Sequence, residues 1–290
     1  MLKWKKTVVK CEYSMLRGAV CAIRTTAFFN PSAIKHIYCY DYCSKQWSKL
    51  PDCPTVFFAL VIINDLLTTV GGIKSNKLFS FSEGKWFSKD KWVEKFPPMP
   101  TKREYPAAVC TGHSLVVAGG LDEGEDLPTV EVMDISTQQW FTAASLPRGI
   151  YRASMTGCGD NLYILGDDTT HVYSCFLRAL LQTCKAPGKA SSLQKASVWN
   201  RIADLPVKCS TAATLCGQLV SVGGEDGKEV AVNTVYCYDP ATTTSTWKII
   251  GQIPICKSPP LVTTLPEDKL IIVDGGGEFE DVTIDIASVS

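Results

Sequence analysis

Charged residues fall into two settings that recur along this chain. Acids follow glycine pairs: Asp122, Glu123, Glu125 and Asp126 after Gly119-Gly120, and Glu225 and Asp226 after Gly223-Gly224. Asp167 and Asp168 follow Gly166, and Glu278, Glu280 and Asp281 follow Gly275-Gly276-Gly277. Bases instead precede alternating apolar runs: Lys10 and Arg17, Lys102 and Arg103, Arg148 and Arg152, Lys208, and Lys257. A guanidinium fork matches a carboxylate or phosphate with two parallel hydrogen bonds, so the basic set points to capture of an acidic or phosphorylated group. The acids would form a rim around it. Catalysis needs groups that converge, and His36, His113 and His171 occupy different repeats and different positions within them. There is no Cys-x-x-Cys pair to suggest zinc. The Gly275–Gly277 run follows a strand but opens no helix, so it does not read as a dinucleotide loop. No catalytic residue, metal or cofactor is expected.

These settings are fixed by a repeat, the first thing to look for in a chain of this length. The clearest copy is EYPAAVCTGHSLVVAGG, then LDEGEDLPT, VEVMD, STQQ and WFTAASLP, over residues 104–147. Double glycines recur at Gly71-Gly72, Gly119-Gly120, Gly223-Gly224 and Gly275-Gly276, with Asn30-Pro31 and Gly166-Asp167 in the two degraded copies. Trp4, Trp47, Trp92, Trp140, Trp199 and Trp247 keep a spacing of 43 to 59 residues, and Trp86 is off register. Each copy holds four short runs. Ala107–Cys110 and Leu115–Ala118 read as a hairpin, Val130–Asp134 as a half-buried strand, and Trp140–Ala143 as an outer strand. Four short strands per unit, repeated six times, predict an all-β, six-bladed β-propeller.

Period, glycine pair, Val-x-Val strand and Trp together resemble the kelch repeat, over nearly all of the chain. The resemblance implies a single domain over residues 1–290, with blades near 11–53, 54–100, 101–147, 148–206, 207–256, and 257–290 plus 1–6. The last copy lacks its Trp, so the stretch Leu2–Lys5 is expected to supply its fourth strand and hide the open sheet edge. In such a blade the loops joining strands 2 and 3 share a face with the segments joining strand 4 to the next strand 1. Lys10, Arg17, Lys102, Arg103, Arg148, Arg152, Lys208 and Lys257 are therefore expected to ring the central opening, with the acids further out. Kelch propellers commonly bind peptides on this face. The resemblance thus implies a non-catalytic interaction module for a protein or peptide partner, acidic or phosphorylated, acting as a ubiquitin-ligase substrate receptor or scaffold. BTB-kelch receptors carry a BTB domain ahead of the propeller, and no BTB-like segment is found here. The alternative is a small propeller enzyme, mutarotase-like or metal-dependent, working at the central opening.

Composition narrows the partner. Lys plus Arg and Asp plus Glu are 29 each, so neither a nucleic acid nor a membrane surface is the expected partner. Thirteen cysteines, several on strand positions, suit a reducing compartment, and a cytoplasmic location follows. The apolar stretch Val56–Val70 is interrupted by Asn64-Asp65 and reads as a hairpin rather than a membrane span. In the fourth copy, FLRALLQTCKAPGKASSLQKAS is expected to be an extended strand followed by an exposed loop.

Overall fold

The computed structural model describes residues 3–9, 18–31, 33–82, 91–166, 168–185, 198–239, 246–253, 260–265, 269–274 and 282–288. Six four-stranded sheets and one two-stranded ladder form among them. Sheet one runs Ala19–Ile23, Thr26–Asn30, Tyr38–Asp41, Gln46–Lys49, and sheet two Ala59–Ile63, Leu66–Val70, Leu78–Ser82, Lys91–Val93. Sheet three runs Ala107–Thr111, Ser114–Ala118, Val130–Asp134, Gln139–Ala143. Sheet four is Ser154–Cys158, Asn161–Leu165, Val172–Phe176, Asn200–Arg201, and sheet five Thr211–Leu215, Gln218–Val222, Thr234–Asp239, Thr246–Gln252. Sheet six is made from both ends of the chain. Leu261–Leu265, Lys269–Asp274 and Val282–Ser288 are followed by Lys3–Val9, which pairs antiparallel with Val282–Ser288 and sets Trp4 opposite Ala287.

The meander follows from local chemistry. The hairpin of sheet two turns on Asn64 (φ 49°) and Asp65 (φ 61°), the pair of left-handed residues that a two-residue turn requires and that Asn and Asp tolerate best. Alternation then assigns each face of a strand to a different neighbour. In sheet three, Val116, Ala118, Val130 and Val132 pack with Leu162, Ile164 and Tyr173 of sheet four. Leu115, Val117 and Met133 face the other way, onto Ala59, Val61 and Ile63 of sheet two. These strands are buried on both faces, which is why they read as near-continuous apolar runs.

The chain divides into two compact units. Met1–Asp52, Leu165–Val172 and Ile202–Ser290 form one, and Cys53–Ile164 with Tyr173–Arg201 the other. Within the first unit, sheet six packs Leu261, Leu265, Ile271 and Val273 against Ala27, Phe29 and Tyr40 of sheet one. Its other face carries Val262, Leu270 and Ile272 to Ala213, Leu215, Val220 and Val222 of sheet five.

Three of the periodic tryptophans join one sheet to the next. Trp140 donates its indole N–H to the Pro97 carbonyl at 3.0 Å, and Trp199 donates to the Ala144 carbonyl at 3.1 Å. In the other unit, Trp247 donates to the Ala203 carbonyl at 2.7 Å. Each acceptor lies just past the preceding repeat's Trp strand. Trp140→Phe keeps most of the ring but leaves the Pro97 carbonyl without its donor. Its expected cost is about 1–2 kcal/mol, read as a lower urea midpoint at unchanged slope.

One element corrects the sequence expectation. After Val172–Phe176 the chain forms a short helix, Leu177–Leu181, where an extended strand was expected. Leu, Arg and Ala favour a helix, and no Gly or Pro intervenes before Pro187. Leu180 anchors the helix in the core at 0% exposure. Lys185 then bridges Thr142 on the outer strand of sheet three, with both N–H···O bonds at 2.9 Å. Buried thiols behave as small hydrophobes, and burial pushes Cys175 up to about 12 and Cys21 and Cys110 upward too.

Candidate functional site

The loops that precede strand 1 and those that follow strand 2 meet in each well-defined repeat. In sheet three, Glu104 and Leu121 exchange two N–H···O bonds of 2.8 Å, and in sheet five Lys208 and Glu225 do the same at 3.0 and 2.8 Å. The strand 1 linker and the acidic loop of one repeat therefore lie side by side.

The glycine pair makes this approach possible. Gly119 N–H closes onto the Thr129 carbonyl at 3.2 Å, and Gly120 N–H reaches forward to the Ile150 carbonyl of the next linker at 2.8 Å. A Cβ on Gly119 would lie 2.3 Å from the Ile150 carbonyl oxygen, and one on Gly120 would lie 2.8 Å from the Glu104 carbonyl oxygen. The acidic loop that follows is itself built: Leu121–Asp122 pairs with Glu125–Asp126 around Glu123 (φ 51°) and Gly124 (φ 87°).

Each of the four linkers leading into sheets two to five carries one left-handed residue fourteen positions before the first glycine: Phe57 (φ 63°), Tyr105 (φ 49°), Arg152 (φ 49°) and Cys209 (φ 58°). In the unit containing sheets two to four, three of these form a ladder. Tyr105 N–H donates to the Phe57 carbonyl at 2.7 Å, and Arg152 N–H donates to the Tyr105 carbonyl at 3.3 Å. The side chains follow the backbone. The Phe57 and Tyr105 rings stack at 4.4 Å with a 26° tilt, and the Arg152 guanidinium lies 4.7 Å over Tyr105 and 5.4 Å from the Tyr151 ring. Arg152 is exposed and its side chain meets only these rings among the described residues. It is a cation held over a ring, with no ion pair to a carboxylate among the described residues.

The other expected site residues are scattered in depth. Lys102 is exposed, and Arg148 and Lys208 are half-buried. Lys208 Nζ is 3.4 Å from a Glu229 carboxylate oxygen. Arg17 and Lys257, like Lys10, lie outside the described residues. Of the acids, Glu123, Glu125 and Asp126 are exposed, while Asp122, Glu225 and Asp226 are half-buried. The Asp226 carboxylate accepts the Val230 and Lys228 amides at 3.0 and 2.8 Å, which holds its carboxyl below the usual range and ties it to its own loop.

Arg103 is the correction. It is 0% exposed, with four side-chain hydrogen bonds and a buried ion pair. Nη1 bonds the Gly119 and Thr129 carbonyls at 2.7 and 3.0 Å, and Nη2 bonds Thr129 Oγ1 at 2.9 Å. Nε and Nη2 approach Glu131 Oε2 at 3.3 and 3.2 Å. Desolvation pushes this guanidinium down from its ordinary value and Glu131 opposes the shift. A buried guanidinium bonded inward at each of its three nitrogens offers nothing to a ligand. The ladder residues Phe57 and Tyr105, and Tyr151 beside Arg152, were not singled out from the sequence, although the constant offset from the glycine pair marks the first two.

The comparisons agree with this architecture. The Kelch motif matches residues 102–147 and 206–252. Kelch-like protein 35 of Homo sapiens is 28% identical over 127 residues, 42% of this chain and 21% of its own length. Alpha-scruin of Limulus polyphemus is 27% identical over 143 residues, 46% of this chain and 15% of its own length. The matched region thus spans about a fifth or less of these relatives. Among solved structures, YjhT superposes with a TM-score of 0.71 at 16% identity over 97% of each chain. A fungal alcohol oxidase of the AA5 family, in complex with copper, gives 0.64 at 13% identity over 99% of this chain and 76% of its own. At such identities the likeness is one of fold, and that fold is an all-β propeller. The chain thus carries the Kelch motif in two of its repeats and is similar there to kelch-like proteins. Among the described residues no helix is long and apolar enough to cross a membrane.

Proposed function

We propose that the chain is a non-catalytic interaction module, a cytoplasmic receptor or scaffold that binds a protein or peptide partner on the face of its strand 2–3 and strand 4–1 loops. In this reading the six sheets are six blades of one kelch propeller, completed by the strand Lys3–Val9. The observation that carries the proposal is Arg152: exposed, pinned over Tyr105, and in no ion pair with an acid among the described residues. Such a cation is preorganised for a carboxylate, so little rotamer entropy remains to be lost on binding. Lys102, Arg148 and Lys208, with Arg17 and Lys257 on the corresponding linkers, add to the attraction. Asp122, Glu123, Glu125, Asp126, Glu225 and Asp226 stand on the adjoining loops and would exclude wrongly charged partners. The similarity to kelch-like proteins and to a scruin supports an interaction role.

The test is recovery of partners by the wild-type chain and by a Lys102→Glu, Arg152→Glu double variant of equal melting temperature. A partner held by the wild type and lost by the variant, at least about tenfold in affinity, is the expected result. A partner held equally by both would remove this face as the binding site.

A further inference from the structure

The ladder also carries an apolar half. Phe57 is half-buried and stacked, so one of its faces is already covered by Tyr105 and its remaining surface is fixed. Ile73, in the strand 2–3 loop of the same sheet, is 47% exposed, and its N–H bonds the carbonyl of Val56, the neighbour of Phe57, at 2.9 Å. Val230, in the corresponding loop of sheet five, is likewise exposed at 57%, but only Ile73 is tied by its backbone to the linker that carries a stacked ring. The same strip ends on Arg152. Steps of 4.4 and 4.7 Å along the stack place the Phe57 ring and the Arg152 guanidinium no more than roughly 9 Å apart.

That distance has a counterpart in an extended chain. Side chains two residues apart share a face and lie about 7 Å apart, whereas adjacent ones point to opposite faces. We infer that the Phe57–Tyr105–Arg152 strip reads an extended segment carrying a carboxylate and, two residues away on the same face, an apolar side chain. The carboxylate sits on Arg152 and the apolar side chain covers Phe57 beside Ile73. A carboxylate suits a single guanidinium, while phosphate recognition generally draws on a cluster of Arg. Arg103 is buried and Lys102 and Arg148 occupy other positions on their linkers, so no such cluster forms around Arg152 among the described residues. This inference rests on the binding face proposed above and adds the pattern that the face selects.

Labelled seven-residue peptides of Ser and Gly, each with one Glu and one Leu from one to four residues apart, test it by fluorescence anisotropy. The proteins compared are the wild type, Arg152→Asn and Phe57→Asn. Asn accepts the left-handed backbone at both positions, so each variant removes a side chain without forcing the linker to move. Binding should be tightest at a spacing of two and about tenfold weaker when Leu is replaced by Ser. Arg152→Asn should abolish the dependence on Glu. Phe57→Asn should abolish the dependence on Leu and on spacing while keeping that on Glu. Glu-dependent binding that ignores Leu and spacing would overturn this inference and leave the face standing. Binding that ignores Glu and Arg152, or no binding of any peptide at millimolar concentration, would overturn both.

Discussion

Replacing Arg103 by Met should destabilise the protein by about 3–5 kcal/mol at neutral pH, the cost of leaving one member of a buried ion pair without its partner. The Glu131 side chain is only 3% exposed and would keep the Thr101 hydroxyl, 2.6 Å away, as its hydrogen-bond donor. The Gly119 and Thr129 carbonyls would lose their donor as well. Adding Glu131→Gln should restore much of the loss, because no unpaired buried charge remains. Chemical unfolding of the four proteins of the cycle measures this coupling. A loss under about 1 kcal/mol would show that water reaches Glu131 and that the pair does not lock these loops.

The Arg103 result also shows what the sequence carried and where it misled. A basic residue just before an apolar strand looked like a member of the binding set because linkers are usually exposed. Yet the repeat itself held the warning. Sixteen residues before the first glycine, the repeats of sheets two, four and five carry Thr55, Ile150 and Val207, and all three are buried along with Arg103. Three small or apolar residues in register mark an inward slot, and a guanidinium in that slot must find its partners inside. Glu131 lies between two buried valines on the strand Val130–Asp134 and was the visible hint of which partner. The meander, the hairpin turns and the outer Trp strands were legible because each rests on local signals: period-two alternation, left-handed turn residues and a fixed spacing. The pairing of the strand 1 linker with the strand 2–3 loop could be deduced from blade geometry. The Phe57–Tyr105–Arg152 stack could not, since it joins three repeats through side chains whose types differ at every step. The helix Leu177–Leu181 was missed because a short, mostly apolar run fits a strand or a helix equally well, and burial of Leu180 decided it.

Gly119→Ala and Gly112→Ala should differ widely although both glycines have a left-handed backbone, with φ of 66° and 58°. At Gly112 a Cβ meets nothing within 4 Å, so the expected cost is the conformational one alone, about 1 kcal/mol. At Gly119 the Cβ falls 2.3 Å from the Ile150 carbonyl oxygen, and that carbonyl is held in place by the Gly120 N–H at 2.8 Å. Backbone must move or the bond must break, and the expected loss is about 3 kcal/mol or more. Differential unfolding of the two variants separates conformational freedom from close approach as the reason for the glycine pair. Equal losses would mean that only the left-handed backbone matters. The displaced linker is the one that continues through Tyr151 to Arg152. Gly119→Ala should therefore weaken ligand binding under conditions where it remains folded, and Gly112→Ala should leave it unchanged. The close approach that builds the sheet junction would then be the same contact that aims the candidate anchor.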